Sequence, residues 1–454
     1  MISRREWLRL CGASVASGWL GCGDNLLGPD GGVLVDLDGG ALETGPIDPA
    51  HAAVTFEVDS TSAIVSVHAA TPRWFVVVLE DTLTGAQRAT GAIEIDPAVG
   101  RVARIDLTEL EPARAYRYHL RFDTDTTSRW FEFRTAPLSD ADADLRLVFS
   151  ADIDTDPLFD SNIFASLRTS GADFFVSLGD WPYADNAPGA WTVDEYRERH
   201  RQARLDPRLQ GWLRTMGVYA IYDDHEARND WDARFRDSEG DRIANALQVW
   251  DEWFPLHGAP PRYRSIRWGR NCELFVLDTR LYRSANADLD GPAKTMLGPE
   301  QKAWLLSGLR ASDAAFKLIV TTVPLDFGTT VDHWPAFATE RAEILGAVTG
   351  EDGLGGIAGV LFLTADQHWF AAHHYDSGIV EYQVGPLARG VRDQPPLLPE
   401  VVARAGVYNY GELAITGGDR PTAVFTARDS SGGVLFTDIR ASYSSRPEDP
   451  SQAR

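Results

Sequence analysis

The sequence predicts a mixed α/β (α+β) sandwich over residues 145–440, preceded by an all-β sandwich over 51–137. Three observations point there. The chain has 454 residues, more than one hydrophobic core usually organises, and 44% of them are apolar, enough to fill two. Between 51 and 137 the apolar residues come in short alternating runs, at 63–67, 74–79 and 116–122, separated by turn residues at the spacing of a β-sandwich. After 145 the texture changes to strand, loop and helix. Buried-type strands read at 145–150, 174–178, 218–222, 274–277, 317–321 and 360–363, with helical stretches such as 299–306 and 340–345 between them.

Residues 1–22 read as an export signal. Ser3-Arg4-Arg5-Glu6-Trp7-Leu8 resembles a twin-arginine signal, in which paired guanidinium groups precede a short apolar run, here 15–20. An amphipathic first helix with two solvated arginines is the plainer alternative. Trp19-Leu20-Gly21-Cys22 resembles a lipobox with an unusual tryptophan at its first position, so lipidation of Cys22 and simple cleavage both stay open. The expected address is periplasmic or cell-surface, with the twin-arginine export machinery as a partner and Cys22 as the candidate lipid anchor. Residues 23–50, rich in Gly, Asp and Pro, read as a linker, and 441–454 as a polar tail.

Of three cysteines only Cys272 lies beyond the leader, opening a buried-type strand as a core residue, which excludes a disulfide framework. A formal charge of −23 argues against nucleic-acid binding through phosphates, because the surface repels them. A phosphate-bearing ligand therefore has to be drawn in locally, by metal or arginine. In the first sandwich, Leu110-Glu111-Pro112 followed by Tyr116 and Tyr118 resembles the corner of a fibronectin type III domain, where a tyrosine hydroxyl ties back to the backbone. The last strand and its exit read at 131–137, and His68 and His119 read as structural or solvated histidines on strands.

In the larger body, strand after strand ends in a carboxylate: Asp152, Asp180, Asp223-Asp224, Asp278 and Asp366. Ligands of such sheets gather beyond the carboxyl ends of the strands, so these five ends are expected to converge on one rim. The plainer reading makes each a helix N-cap after its strand, the weaker reading even for one motif; five together argue for a shared purpose. Crowded carboxylates repel and take up protons unless polyvalent cations compensate them. Oxygen donors with one imidazole and one phenolate suit Fe(III), Mn, Ca or Zn and disfavour thiolate-seeking metals.

The ordered set comprises Asp152, Gly179-Asp180-Trp181-Pro182-Tyr183, and Asp223-Asp224-His225-Glu226 with Asn229 and Trp231. It continues with Asp278-Thr279-Arg280, Tyr282-Arg283, Leu297-Gly298, Gln301, Trp304-Leu305 and Asp366-Gln367-His368. This set resembles the alkaline phosphatase D family of calcineurin-like metallophosphoesterases, related to purple acid phosphatases. The likeness runs over about residues 50–440. It implies a four-layer sandwich behind a fibronectin type III-like domain and a small phosphate-ester substrate. It also implies two or more metal ions, Fe(III) with Ca foremost, and hydrolysis of phosphomonoesters or phosphodiesters by a hydroxide bridging them.

Position by position, the resemblance implies that Asp152 holds the first metal, Asp180 bridges both and Tyr183 ligates a ferric ion. Asp224 would ligate the second metal, and Asp366 and His368 would close the ligand set. His225 would stand beside the metals unbound, as general acid or phosphate contact. Asn229 and Arg280 would steady equatorial phosphoryl oxygens, a salt bridge or loop hydrogen bond being the plainer role for each. The chain departs from the family at Ser150-Ala151-Asp152-Ile153-Asp154, where relatives carry Ser-Cys with the cysteine on iron. That departure leaves the identity of the metals open. Asp154 takes the place of the superfamily's first-motif histidine, with its reach to the metal equally open.

The competing reading is a non-catalytic surface binding protein with a structural metal site, in which His225 and Arg280 would be superfluous. His200, after the charged run Tyr196-Arg197-Glu198-Arg199, reads as a solvated helix face. His373 and His374 stay unassigned, and Asp332-His333-Trp334 resembles a family loop at the substrate entrance.

Overall fold

The computed structural model describes residues 51–95, 102–124, 126–154, 162–326, 331–393 and 398–442. The expected export signal, Cys22, the linker and the tail beyond Ser442 lie outside the described residues. The first segment supplies β1 (His51–Phe56), β2 (Ala63–Ala69), β3 (Trp74–Asp81), β4 (Gln87–Ala89), β5 (Ile93–Glu94), β6 (Val102–Leu107), β7 (Ala115–Phe122) and β8 (Phe131–Arg134). Alternation fixes how they face. Ala63, Val65, Val67 and Ala69 of β2 meet Phe75, Val77 and Leu79 of β3 and Tyr118, Leu120 and Phe122 of β7 in one core. The corner expected after Leu110 is present: the Glu111 backbone N–H donates to the Tyr116 hydroxyl at 2.8 Å.

The larger body continues with β9 (Leu145–Ser150), β10 (Phe174–Ser177), β11 (Gly217–Ala220), β12 (Arg264–Trp268), β13 (Cys272–Val276), β14 (Phe316–Val320) and β15 (Val360–Thr364). It ends with β16 (Phe370–His374), β17 (Val380–Gln383), β18 (Val401–Ala405), β19 (Asn409–Thr416), β20 (Thr422–Asp429) and β21 (Val434–Ala441). The last strand thus runs through Ala441, one residue into the expected tail. One sheet has the order β21-β20-β19-β9-β10-β11-β1-β2-β6, a second β12-β13-β14-β15-β17-β16-β18, and a third β4-β3-β7-β8 with β5 on β3. The N-terminal sandwich is therefore not a separate bead. Its β1 pairs in parallel with β11 at Phe56 and Val218, so one sheet runs through both halves of the molecule.

Helices α1 (Asn162–Arg168), α2 (Val193–Leu205), α3 (Pro207–Leu213), α4 (Ala233–Ser238), α5 (Gly240–Trp253), α6 (Gly298–Ala311) and α7 (Ala338–Thr349) complete the body. The period of two in the strands explains the layering. Cys272, Leu274 and Val276 of β13 pack towards the first sheet, while Phe275 between them packs with Leu305 and Leu309 of α6 and Ile344 of α7. On the other side Trp212 of α3 meets Phe175 of β10 edge-on at 4.8 Å. Helices, sheet, sheet and helices make the four layers. Among the described residues no helix is long and apolar enough to cross a membrane.

One residue departs from its expectation here. His200 is 1% exposed and stacks 5.7 Å from Trp253, where the charged run before it suggested solvent. Tyr196, His200 and Ala203 recur at helical spacing and form the buried stripe of α2, and the run's charges lie on the flanks of that stripe.

Candidate active site

Strands β9, β10 and β11 run parallel, as do β13, β14 and β15 in the facing sheet, so their carboxyl ends open on one rim. There the backbone turns sharply. Asp152, Asp180, Asp366 and His368 have φ of +60°, +57°, +75° and +59°, a left-handed conformation that costs any residue with a Cβ. Gly179, at φ +104°, lets Asp180 meet the turn after β11, since a Cβ there would lie 2.8 Å from the Asp223 backbone nitrogen.

The first group of donors surrounds the Tyr183 hydroxyl. It lies 3.2 Å from Asp152 Oδ1, 3.0 Å from Asp180 Oδ2 and 3.0 Å from His368 Nε2. His368 Nδ1 donates to the Gly390 carbonyl at 2.7 Å, which leaves the Nε2 lone pair aimed into the cluster. Asp152, Asp180 and His368 each offer an atom within 4.8 Å of the others, and so do Asp180, Asp224 and His225. Asp180 is common to both groups, the position a bridging carboxylate needs. A third group, Asp223, Asp224 and Asp366, adjoins the second through Asp224.

His225 is held from behind. Its Nδ1 lies 2.8 Å and 2.9 Å from the Asp185 carboxylate, which also accepts the Asn229 backbone N–H at 2.7 Å, and its Nε2 faces the cluster 4.0 Å from Asp180 Oδ2. The imidazole thus stands closer to the donor groups than a bystander would.

Burial and crowding make several of these carboxyls bind protons more readily than free ones do. Burial first, then the neighbouring Asp224, Asp223, Glu226 and Asp152, push the Asp180 carboxyl well above its ordinary range. Burial likewise lifts Asp223 to about 6 against the pull of Arg280, and Glu226 to about 8. Burial alone would lower His225, but Asp224, Asp185 and Asp366 raise it to about 9. Asp152 Oδ2 and Asp224 Oδ1 are buried with no hydrogen-bond partner. A Cβ on Gly385 would collide with that Asp152 oxygen, so the chain keeps the space beside it clear. Unpartnered carboxylate oxygens, an aimed imidazole and a phenol fit the metal ions that the donor chemistry implies.

Residues 159–403 match the PhoD-like phosphatase family. The chain belongs to that family. Over 240 residues it is 27% identical to alkaline phosphatase D of Bacillus subtilis (strain 168), a stretch covering 45% of this chain and 40% of that protein's length. A solved structure of PhoD has a TM-score of 0.75 at 18% identity, covering 90% of this chain and 94% of its own. Purple acid phosphatase PPD1 from yellow lupin (Lupinus luteus) seeds has a TM-score of 0.62 at 14% identity, covering 87% of this chain and 74% of its own. The two structural likenesses extend the shared fold across both sandwiches.

Not every residue singled out in the sequence lands where family membership suggests. Arg280 has no exposed surface and spends its donors on Asp223, at 2.7 and 2.8 Å, and on Asp332, at 2.8 and 2.6 Å. It is a buried brace between the two carboxylates, which favours the salt bridge over the expected oxygen-steadying role. Asn229 has an exposed side chain and meets the site through its backbone. Asp278 converges on the rim but not on the cluster, accepting the Tyr222 hydroxyl and the Arg280 and Leu281 backbone N–H groups. Asp154 turns away to Asn186 and Arg389.

Three residues were missed. Asp185, two places after Tyr183, orients His225, and the extension of the Gly-Asp-x-x-Tyr motif was its only signal. His333 holds Asp366 Oδ2 at 2.7 Å, a role its place in an entrance loop did not reveal. Arg389 touches Tyr183 and Asp154 from a loop with no motif at all.

Folded-state values raised above those of the unfolded chain stabilise the fold at low pH and lose that contribution as pH climbs through them. Asp223, Glu226 and His225 all shift that way, to about 6, about 8 and about 9. Asp332, which burial would raise, is held down to about 2 by Arg280 and Arg283, so its change falls below this window. Protein stripped of metal by a chelator is therefore expected to melt at progressively lower temperature as pH rises from about 4 to about 9, and added divalent or ferric ions should flatten the trend. A thermal-shift series that stays level or climbs over that range in chelator would refute this electrostatic account.

Proposed function

We propose that the chain is an exported, metal-dependent phosphoesterase of the alkaline phosphatase D kind, hydrolysing phosphomonoesters, phosphodiesters or both. The observation that carries the reading is Asp180 shared between two donor groups, with Asp152, Tyr183 and His368 on one side and Asp224 and His225 on the other. Asp152, Tyr183 and His368 would hold the first ion, Asp224 and Asp366 the second, with Asp180 between them. Fe(III) with Ca suits the phenol and the oxygen-rich half, Mn or Zn being the alternatives. When bound, such ions supply hydroxide near neutral pH and clamp phosphoryl oxygens.

The protein's own part is positional and protonic. Asp185 holds the His225 ring so that Nε2 points at the cluster, and the surrounding carboxylates favour its protonated form, so the ring can give that proton to a leaving oxygen. Gly390 fixes the face of His368, and Arg280 ties the Asp223 turn to Asp332. Para-nitrophenyl phosphate and its bis ester, assayed with and without chelator, test the proposal directly. Turnover of at least one, abolished by chelator and restored by metal, is expected. Removal of the imidazole in His225→Ala should lower kcat by about 10²- to 10⁴-fold, and Asp185→Asn should lower kcat and displace the alkaline limb of the pH profile while sparing KM. No metal-dependent turnover of either ester would leave only the competing surface-binding reading.

Metal identity has its own readout. With Fe(III) on Tyr183 the purified protein should show a visible phenolate-to-iron absorption band, lost in Tyr183→Phe. A colourless, fully active preparation would point to Ca, Zn or Mn throughout.

Export rests on Arg4 and Arg5, with Cys22 the candidate lipid anchor and simple cleavage the alternative. Replacing both arginines by lysine should strand the protein in the cytoplasm on fractionation, and unchanged export would defeat the twin-arginine assignment.

A further inference from the structure

A half-buried guanidinium lies beside the donor cluster. Arg389 stands in the loop after β17, directly before Gly390, whose carbonyl fixes His368. Its Cζ lies 4.3 Å from the centroid of the Tyr183 ring, whose hydroxyl sits among Asp152, Asp180 and His368. Nη1 pairs with Asp154 Oδ2, the same oxygen that accepts Asn186 Nδ2 at 2.8 Å. The side chain is 30% exposed, and its Nε and Nη2 make no hydrogen bond to any described residue.

The other arginines of the cluster differ. Arg280 and Arg283 are wholly buried and engaged with Asp332, and Arg236 gives its donors to the Arg280 and Arg283 carbonyls. Asp154 is buried, and its Oδ2 already accepts Asn186 Nδ2, so the guanidinium is not that carboxylate's only partner. What the pair does is fix the guanidinium plane. Asp154 takes Nη1 and the Tyr183 ring supports the flat face, which leaves the Nε/Nη2 edge presented as a fork of two donors, the geometry that matches phosphate oxygens. A protein of formal charge −23 also needs a local cation to draw an anion to its mouth.

We propose that Arg389 is the substrate-docking residue of this site, binding non-bridging oxygens of the phosphate ester through its Nε/Nη2 edge, with Asp154 and Tyr183 as its supports. The proposal rests on the phosphoesterase reading above. It places specificity for the phosphate group on the 385–393 loop as well as on the metal ligands, and it gives Asp154 a task other than metal binding.

The test compares the metal-loaded protein with Arg389→Ala and Arg389→Lys, measuring kcat and KM for para-nitrophenyl phosphate, the inhibition constant of inorganic phosphate, and metal content. Loss of a charge-assisted fork should raise KM and the phosphate inhibition constant together by about 10- to 100-fold, with metal content unchanged. Free guanidinium in the buffer should recover part of the phosphate affinity of Arg389→Ala. Arg389→Lys, which keeps the charge and most of the volume, should still raise both constants, and it carries the test should the alanine variant fold poorly. Both constants within about twofold of the parent, or a fall in kcat and metal content with phosphate affinity intact, would overturn the proposal and make Arg389 a buttress of Tyr183. Absence of metal-dependent turnover in the unaltered protein would instead remove the phosphoesterase reading, and this proposal with it.

Discussion

Asp152, Asp180, Asp223 and Asp224, all buried, and the half-buried Asp366 are brought to one rim, and the mutual repulsion of these carboxylates governs what the surrounding structure has to be. Two like charges about 4 Å apart repel by about 4 kcal/mol at an effective dielectric of about 20. A few such pairs rival the whole net stability of a folded domain, about 5–15 kcal/mol. The cluster must therefore hold protons, cations or opposing side chains. Arginine serves Asp223 and Asp332 and reaches Asp224 Oδ1 only at 3.8 Å, and neither that oxygen nor Asp152 Oδ2 has a hydrogen-bond partner. Those two oxygens are where compensation from outside the chain is needed, and they flank Asp180.

A cluster under this strain needs rigid walls, and the two sheets provide them jointly. Asp152, Asp180 and Asp224 follow strands of one sheet, Asp366 and His368 a strand of the other. The brace between them is Arg280, at the end of β13, reaching across to Asp223 at the end of β11. Buried ion pairs stabilise little in net terms, yet breaking one leaves an uncompensated charge, so such a pair fixes geometry more than energy. The N-terminal sandwich adds to the wall from behind. Arg204, nearly fully buried, packs 5.1 Å from the Phe56 ring of β1, 4.4 Å from Trp181 and 4.3 Å from Phe254. Trp181 is the residue after Asp180, so the shared sheet and this guanidinium couple the first sandwich to the carboxylate common to both donor groups.

What could be read from the sequence follows the same physics. Strand positions were legible because burial on both faces leaves continuous apolar runs, and 145–150 matches the observed Leu145–Ser150. The donor residues were legible because their chemistry is costly anywhere else. The brace was not: Arg280 beside Asp278 looks the same in sequence whether it greets a ligand or an aspartate 57 positions away. Long-range pairing also hid Asp185 behind His225, His333 behind Asp366 and Arg389 beside Tyr183. Continuity of the sheet from β1 to β11 was invisible for the same reason, since one parallel contact at Phe56 and Val218 leaves no pattern in either strand.

The departure at Asp152 can be understood in these terms. A thiolate and a carboxylate bring the same single negative charge, so aspartate in place of the cysteine that the resemblance implies leaves the cluster's total charge unaltered. The difference is the second oxygen. Asp152 Oδ1 joins Tyr183 and His368, while Oδ2 is buried without a partner beside Gly385, whose φ of +100° and missing Cβ clear its space. A harder, two-oxygen donor favours ions that prefer oxygen and tolerates a larger coordination sphere than a single sulfur does. The glycine and the aspartate thus fit each other, the missing Cβ keeping the second oxygen clear of the chain.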